Sequence, residues 1–330
     1  MRAAPQYAPY LLAALFCVTC APRALAADDT AKLPPAEVVR RAVHNEISCS
    51  QGPGLHFMFK DEKKTPQLSQ IKLMVETSDA TAGLLVMQNG HALTPQQRRE
   101  EEARLAAYVQ SPQELRKKKK QEKEDAEHTE RILAALPDAF LYEPDGTEQS
   151  RAGLGGRGDE LLRLKFRPNP DYNPPSHVEQ VLTGMRGDLL IDTAQNRIAE
   201  INGTLLKEVA FGWGILGHLD PGGRFVVRQS DVGNHQWEVT HMELSFTGKV
   251  LFFKKLAIHS NDTFSDFHPV PSSLTFAQGV ELLKKEAGEN SSAVKAVEGG
   301  PQSGKLSDRA QDQNRVQAKV PASGTLCCDR

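Results

Sequence analysis

Few residues in this chain have the type and spacing that chemistry requires. The segment 153–158 matches the pattern G-x-G-x-x-G. In a dinucleotide site a strand precedes these glycines and a helix follows them, so that the helix N-terminus meets the pyrophosphate. Here a polar loop precedes the glycines and a predicted strand begins at Leu161. We therefore interpret the segment as a loop and expect no nucleotide there.

Metal, acid–base and nucleophile patterns are also weak. His241 and Glu243 would share the polar face of a strand, but no close H-x-x-x-H pair occurs among the histidines. No G-x-S-x-G elbow is present, and no cysteine has a clear partner base. Asp188 and Asp192 are typical of turns. The sequence thus predicts no catalytic residue, no metal ligand, no cofactor and a protein that is not an enzyme. The histidines that could have suggested a metal site are His235, His241, His259 and His268.

The strongest pattern is an alternation of apolar and polar residues from Leu161 to Phe267, which predicts an antiparallel meander with one apolar face. We predict hairpin turns at Asn202-Gly203 and at Thr247-Gly248. The residues predicted to share the apolar face are Leu162, Leu164, Phe166, Leu189, Ile191, Phe225, Val227, Met242, Leu244 and Phe246.

Other elements surround this meander. A helix is predicted after Pro34-Pro35, then strands at 55–60, 71–77 and 82–88. A highly charged helical insertion is predicted at 96–136, a loop at 142–157 and a final helix after Thr275. The predicted fold is α+β: a curved antiparallel β-sheet, or half-barrel, with an N-terminal helix, the charged insertion and a C-terminal helix.

The insertion contains five consecutive cations at 116–120, followed closely by acidic residues. Opposite charges three and four residues apart favour an exposed, solvated helix. The alternative is a basic patch that contacts anionic lipid headgroups.

Composition and the chain ends indicate an exported protein. With 330 residues, 39% hydrophobic, and a net charge of −2, the chain can form a core and carries no overall field that attracts nucleic acid. Residues 1–26 resemble a secretory signal that ends at Ala24-Leu25-Ala26. The alternative is a lipoprotein anchored at Cys20. We expect a single domain at 27–286, a disordered tail at 287–330 and a periplasmic or secreted location without a transmembrane span in the mature chain.

Layout and several short runs resemble a known family. The runs are 166–170, 184–192, 211–219, 246–249 and 265–267. Together with the order of elements, they resemble the LolA-like half-barrels, and within them uncharacterised secreted bacterial proteins. That superfamily includes periplasmic lipoprotein carriers and sensors of the RseB type. The resemblance implies a cavity between sheet and helices that binds acyl chains, with no catalytic motif.

Two functions follow from this resemblance. In the first, the ten residues of the apolar face bind lipid or lipoprotein acyl chains. In the second, the same residues are a filled core, and the protein is an envelope scaffold or sensor that binds protein partners. An open apolar cavity would favour the first function and a closely packed interior the second.

Overall fold

The computed structural model describes residues 33–52, 54–211, 217–250 and 254–298. These residues form an α+β fold, as predicted. The helices are α1 (Pro35–Gln51), α2 (Pro95–Gln110), α3 (Pro112–Ala139) and α4 (Phe276–Glu298), with a short 3₁₀ helix at Glu179–Gly184. The strands are β1 (His56–Lys64), β2 (Ser69–Val75), β3 (Ala82–Gln88), β4 (His91–Ala92), β5 (Phe140–Gln149), β6 (Glu160–Pro168), β7 (Met185–Asp192), β8 (Arg197–Leu205), β9 (Val209–Phe211), β10 (Gly217–Leu219), β11 (Arg224–Gly233), β12 (Gln236–Val250) and β13 (Lys254–Val270).

The strands form one curved antiparallel sheet that does not close into a barrel. Its order is β4-β3-β2-β1-β13-β12-β11-β8-β7-β6-β5, with β10 beside the far end of β12 and β9 beside β10. The predicted antiparallel sheet is therefore confirmed. Because β1 pairs with β13, the first and last strands lie side by side in the middle of the sheet.

The two faces of the sheet are covered in different places. On one side, here called the α1 face, Leu164 and Leu189 pack against α1 and the end of α3. On the other side, the loop face, Leu161 and Leu190 pack beneath Leu154 of the loop 150–159. At the opposite end of the sheet, α4 packs on β2 and β3. Its buried residues there are Phe276, Val280 and Leu283.

A buried ion pair fixes α1 on the sheet. Glu46 of α1 accepts two hydrogen bonds from the Arg197 guanidinium of β8, at 2.9 and 2.8 Å. One of its oxygens also accepts from the Ile198 backbone N–H at 2.8 Å. The guanidinium carbon lies 5.3 Å from the ring centroid of Trp237. Both charges are thus desolvated but paired through two hydrogen bonds, and such pairing is the condition for buried charges to be tolerated.

Helix α2 protects the sheet edge at β3. Glu101 accepts a hydrogen bond from the Leu85 backbone N–H at 2.9 Å, and Arg104 donates to the Gly83 carbonyl at 2.8 Å. The two side chains also pair with each other at 2.7 Å. They replace the hydrogen bonds of a further strand and so block pairing with another chain.

Three sequence predictions about turns and loops were wrong. Asn202-Gly203 lies inside β8, where a Cβ on Gly203 would stand 2.4 Å from the Phe225 ring. Glycine is needed there for close cross-strand packing and not for a turn. Thr247-Gly248 lies inside β12, and the first half of the predicted loop at 142–157 belongs to β5.

The predicted chain ends fall largely outside the described residues. This applies to the signal segment 1–26 and to 299–330 of the predicted tail. Helix α4 continues past Glu286 to Glu298, so the first part of the predicted disordered tail is helical. Within the predicted insertion, helices α2 and α3 meet at Ser111, near the predicted break.

Substituting Glu46→Ala should lower the free energy of unfolding by about 3–5 kcal/mol, because Arg197 is left buried without its partner. Chemical denaturation monitored by circular dichroism measures this change. Glu37→Ala is the matched control, since its ion pair with Arg40 on the same helix is exposed and is worth less than about 1 kcal/mol. Equal losses in both variants would contradict the assigned role.

A second variant tests the covered edge. Glu101→Ala should cost about 1–2 kcal/mol, because the Leu85 N–H loses its acceptor. It should also increase light scattering at high protein concentration, since the β3 edge becomes available for pairing. Glu100→Ala, on the exposed side of α2, should change neither the stability nor the scattering. An unchanged Glu101→Ala protein would show that the edge needs no cover.

Candidate functional site

The cross-strand register brings the ten predicted residues onto the α1 face. Leu164 lies opposite Leu189, and Leu189 lies opposite Ile201. Ile201 in turn lies opposite Val227, and Val227 opposite Met242. Directly paired residues point to the same side of a sheet, and alternate residues along a strand share a face. The apolar row is therefore continuous from β6 to β12.

Helices cover the first part of this row. Leu164, Phe166, Leu189 and Ile191 are at most 5% exposed and belong to the core beneath α1 and α3. Side chains in such a core are close-packed and leave no room for a ligand. Three further residues are partly buried against the same core: Leu162, Phe225 and Phe246.

The cover ends over β11 and β12. Val227, Met242 and Leu244 are only half-buried. None of these three belongs to a hydrophobic core formed by the residues that the structure describes. The helices that pack on the sheet contact β5 and β8 at one end and β2 and β3 at the other. This leaves an apolar strip on the α1 face, here called the open strip and defined by Val227, Met242 and Leu244.

A polar band borders the open strip on β13 and β1. Asp262 lies opposite Met242 and is 3% exposed. Its carboxylate pairs with Lys63 at 3.4 Å and accepts from the Ser260 hydroxyl at 2.9 Å. Burial and the nearby Asp262 carboxylate raise the pKa of Asp61. Together these groups give the face an apolar part and a charged part.

The sequence analysis did not predict this polar band. Asp61 Oδ1 is buried and has no hydrogen-bond partner in the protein. Lys72 lies directly opposite Asp61 on β2. The charged run after Phe59 shows no apolar alternation, so we expected the strand to end at Lys60, whereas β1 continues to Lys64.

Beyond the polar band, a cleft separates β2 and β3 from α2 and α3. Its volume is about 310 Å³, and Lys72, Met74, Tyr108 and Lys118 are among its lining residues. The cleft lies between sheet and helices, although none of the ten predicted residues lines it. A path of mixed polarity therefore leads from the open strip across the polar band to this cleft.

The glycine-rich segment has a structural role on the loop face. A Cβ on Gly156 would lie 2.1 Å from an Asp159 carboxylate oxygen and 2.9 Å from one of Asp192. The Gly156 N–H donates to Asp192, and so does the Gln195 N–H. The segment leads into β6 and not into a helix, so the geometry of a dinucleotide site is lacking.

A second cleft, of about 530 Å³, opens between this loop and β11 to β13. Arg151, Arg228, His241 and Asp231 are among the side chains that line it. Burial, followed by the Arg228 charge, lowers the pKa of His241. Arg228 is itself bonded to Glu200 at 2.6 Å. Within the described residues, no three His, Cys, Asp or Glu side chains gather as metal ligands would.

The cationic run on α3 is balanced by neighbouring acids. Lys117 pairs with Glu114 at 2.7 Å, and Lys118 pairs with Glu122 at 2.7 Å. Lys120 approaches Glu124 at 3.4 Å. This arrangement agrees with the first of the two interpretations of the cationic run, an exposed and solvated helix surface.

Comparisons with known proteins identify no relative. No family model, no curated protein and no solved structure matches the chain. No helix in the described part of the chain is both long enough and apolar enough to cross a membrane. The candidate site therefore rests on its own geometry.

The Asp159–Asp192 contact should make stability depend on pH. Burial, followed by Asp159, raises the pKa of Asp192 to about 6, so the folded state holds a proton that the unfolded chain releases near pH 4. Stability from this group is therefore lost as pH rises from about 4 to 7. Asp159→Asn should reduce that loss by about 1 kcal/mol in urea titrations across this range.

The control for this experiment is Asp171→Asn, which alters an exposed carboxylate away from the pair. Its pH profile should match that of the wild-type protein. A profile for Asp159→Asn that also matches would show that Asp159 does not set the protonation of Asp192.

Proposed function

We propose that this protein binds the acyl chains of lipids or lipoproteins on its α1 face, at the open strip. The observation that carries the proposal is the incomplete helix cover of a continuous apolar row. Four of the ten predicted residues lie in a packed core, whereas Val227, Met242 and Leu244 do not. Each methylene buried there would contribute about 0.8 kcal/mol to binding.

The charged groups beside the strip favour an amphipathic ligand. An acyl chain would lie on Met242 and Leu244, and its polar end would meet Lys63, Asp262 and Asp61 across the next two strands. A ligand without a polar end would leave the Asp61 carboxyl buried beside hydrocarbon, which is costly.

The resemblance to LolA-like half-barrels supports the same proposal. The curved open sheet, with α1 and α3 on one face, is compatible with the general layout of such a half-barrel. Under this proposal the chain is an exported, periplasmic or secreted binding protein without catalytic residues, or a lipoprotein anchored at Cys20. Its partners are lipid or lipoprotein acyl chains and, at its polar surfaces, envelope proteins.

The alternative function, an envelope scaffold or sensor with a filled core, has one observation in its favour. The face beneath α1 and α3 is fully occupied by side chains such as Leu189 and Ile191. If the open strip is also closed by a protein partner, the same surface serves protein binding. A measurement of acyl-chain uptake separates the two functions.

The test is a tryptophan substitution at the open strip. Wild-type protein should bind a fluorescent fatty acid, and Leu244→Trp should weaken that binding at least about tenfold, because the indole fills the strip. The melting temperature of the variant should stay close to wild type, since Leu244 is half-buried and outside the core. In the packed part of the row, Leu189→Trp should instead cost about 1–3 kcal/mol of stability through overpacking.

The matched control is Glu243→Trp, which places the same ring on the loop face of the same strand. It should leave fatty-acid binding unchanged. A wild-type protein that takes up no acyl probe would contradict the proposed function. So would equal loss of binding in the Leu244 and Glu243 variants.

A further inference from the structure

The longest hairpin of the sheet has a basic and apolar end. Strands β12 and β13 pair as far as Val250 and Lys254, and in the described part of the chain the three-residue β10 is the one other strand that pairs with this end. Lys249, Lys254 and Lys255 are exposed there. Among the described residues, none of these three lysines forms an ion pair with a carboxylate of the chain. They are defined here as the hairpin lysines.

Acidic residues are missing from this part of the sequence. No Asp or Glu occurs between Leu244 and Asn261, although the whole chain has a net charge of −2. The positive charge is therefore local to the hairpin end. This differs from α3, where Lys117, Lys118 and Lys120 each have an acidic partner one turn away. The hairpin end thus differs from α3 in presenting three cations without an acidic partner nearby in the sequence.

The apolar row of the α1 face continues onto the same hairpin. Phe246 lies opposite Ile258, and Leu256 lies opposite Gly248. Ile258 is 39% exposed. Lys249 and Lys255 lie opposite each other on the loop face. Lys254 lies opposite Val250 on the α1 face, so that face carries Leu256 and Ile258 with one lysine, and the loop face carries the other two lysines.

We infer that the end of the β12–β13 hairpin docks on the surface of an anionic lipid bilayer. Exposed lysines are attracted to anionic headgroups and lose little of their hydration on contact. Leu256 and Ile258 would enter the boundary between headgroups and acyl chains. Charge complementarity selects this partner, because a neutral surface gains nothing from three uncompensated cations. The apolar row then runs from the bilayer surface toward the open strip.

This inference goes beyond acyl-chain binding and can fail without it. The probe is a set of large unilamellar vesicles of phosphatidylcholine, alone or with about one quarter phosphatidylglycerol, in a sedimentation assay. Wild-type protein should sediment with the anionic vesicles and not with the neutral ones. Binding should fall as salt rises from about 0.05 to about 0.3 M, because the Debye length is longer than about 10 Å at the lower concentration and shorter than about 10 Å at the higher one.

The decisive variant reverses the hairpin lysines, Lys249→Glu, Lys254→Glu and Lys255→Glu together. Binding to anionic vesicles should fall by about a hundredfold or more, at about one kcal/mol for each lysine lost near the surface. The matched control reverses Lys117, Lys120 and Lys123 of α3, which changes the net charge equally. It should bind vesicles within about threefold of wild type. Ile258→Asn should weaken binding without changing its dependence on salt, because it removes the apolar contact and leaves the charge unchanged.

Other outcomes overturn the inference. Equal binding to neutral vesicles, or equal loss in the α3 control, would show that the hairpin lysines are not the contact. A dimer in solution that the hairpin variant converts to a monomer, together with no vesicle binding, would make the hairpin an interface between two copies. Binding of soluble fluorescent fatty acid by the hairpin variant should equal wild type, so the loss of docking and the loss of acyl-chain binding are separate results.

Discussion

The position of α1 depends on the Glu46–Arg197 ion pair. The position of α1 in turn determines which part of the α1 face is covered and which part is left as the open strip. The pair joins the helix to the start of β8, with the Ile198 N–H as a third hydrogen bond. Because α1 is held at this end of the sheet, its apolar residues fill the face over β6 to β8. The same anchor keeps the helix away from β11 and β12. A buried pair of this kind stabilises little by itself but specifies one arrangement, since either partner alone would be an uncompensated charge.

A sheet this wide cannot be covered by four helices. Helices α1 and α3 cover one end on one face, and α4 covers the opposite end on the other face. Most residues of the middle strands β13 and β1 are half-buried or exposed. The polar band of Asp61, Lys63 and Asp262 lies in this uncovered middle. Inward-pointing charges are a known protection of exposed sheets against pairing with other chains, so the band also limits aggregation.

The sequence predicted the fold class and the shared face but not its cover. Period-two alternation is a local signal, and it placed Leu164, Leu189 and Leu244 on one face without any knowledge of the helices. Whether each becomes core depends on where α1 docks, which a contact between Glu46 and Arg197 across 151 positions decides. The hairpin turn predicted at Asn202-Gly203 was wrong for a similar reason. The neighbour of Gly203, Phe225, is distant in sequence, so a glycine required by cross-strand packing looked like a turn.

The long strands β12 and β13 connect the open strip to the hairpin lysines. Residues along one strand repeat at about 3.3 Å, and alternate residues keep the same face. Met242, Leu244 and Phe246 therefore form a row on β12 that Ile258 extends on β13. Phe246 packs against the core beneath α1, whereas Met242 and Leu244 on the same strand do not. Under the proposed function, a hydrocarbon chain would therefore contact Met242 and Leu244 and would stop where the packed core begins.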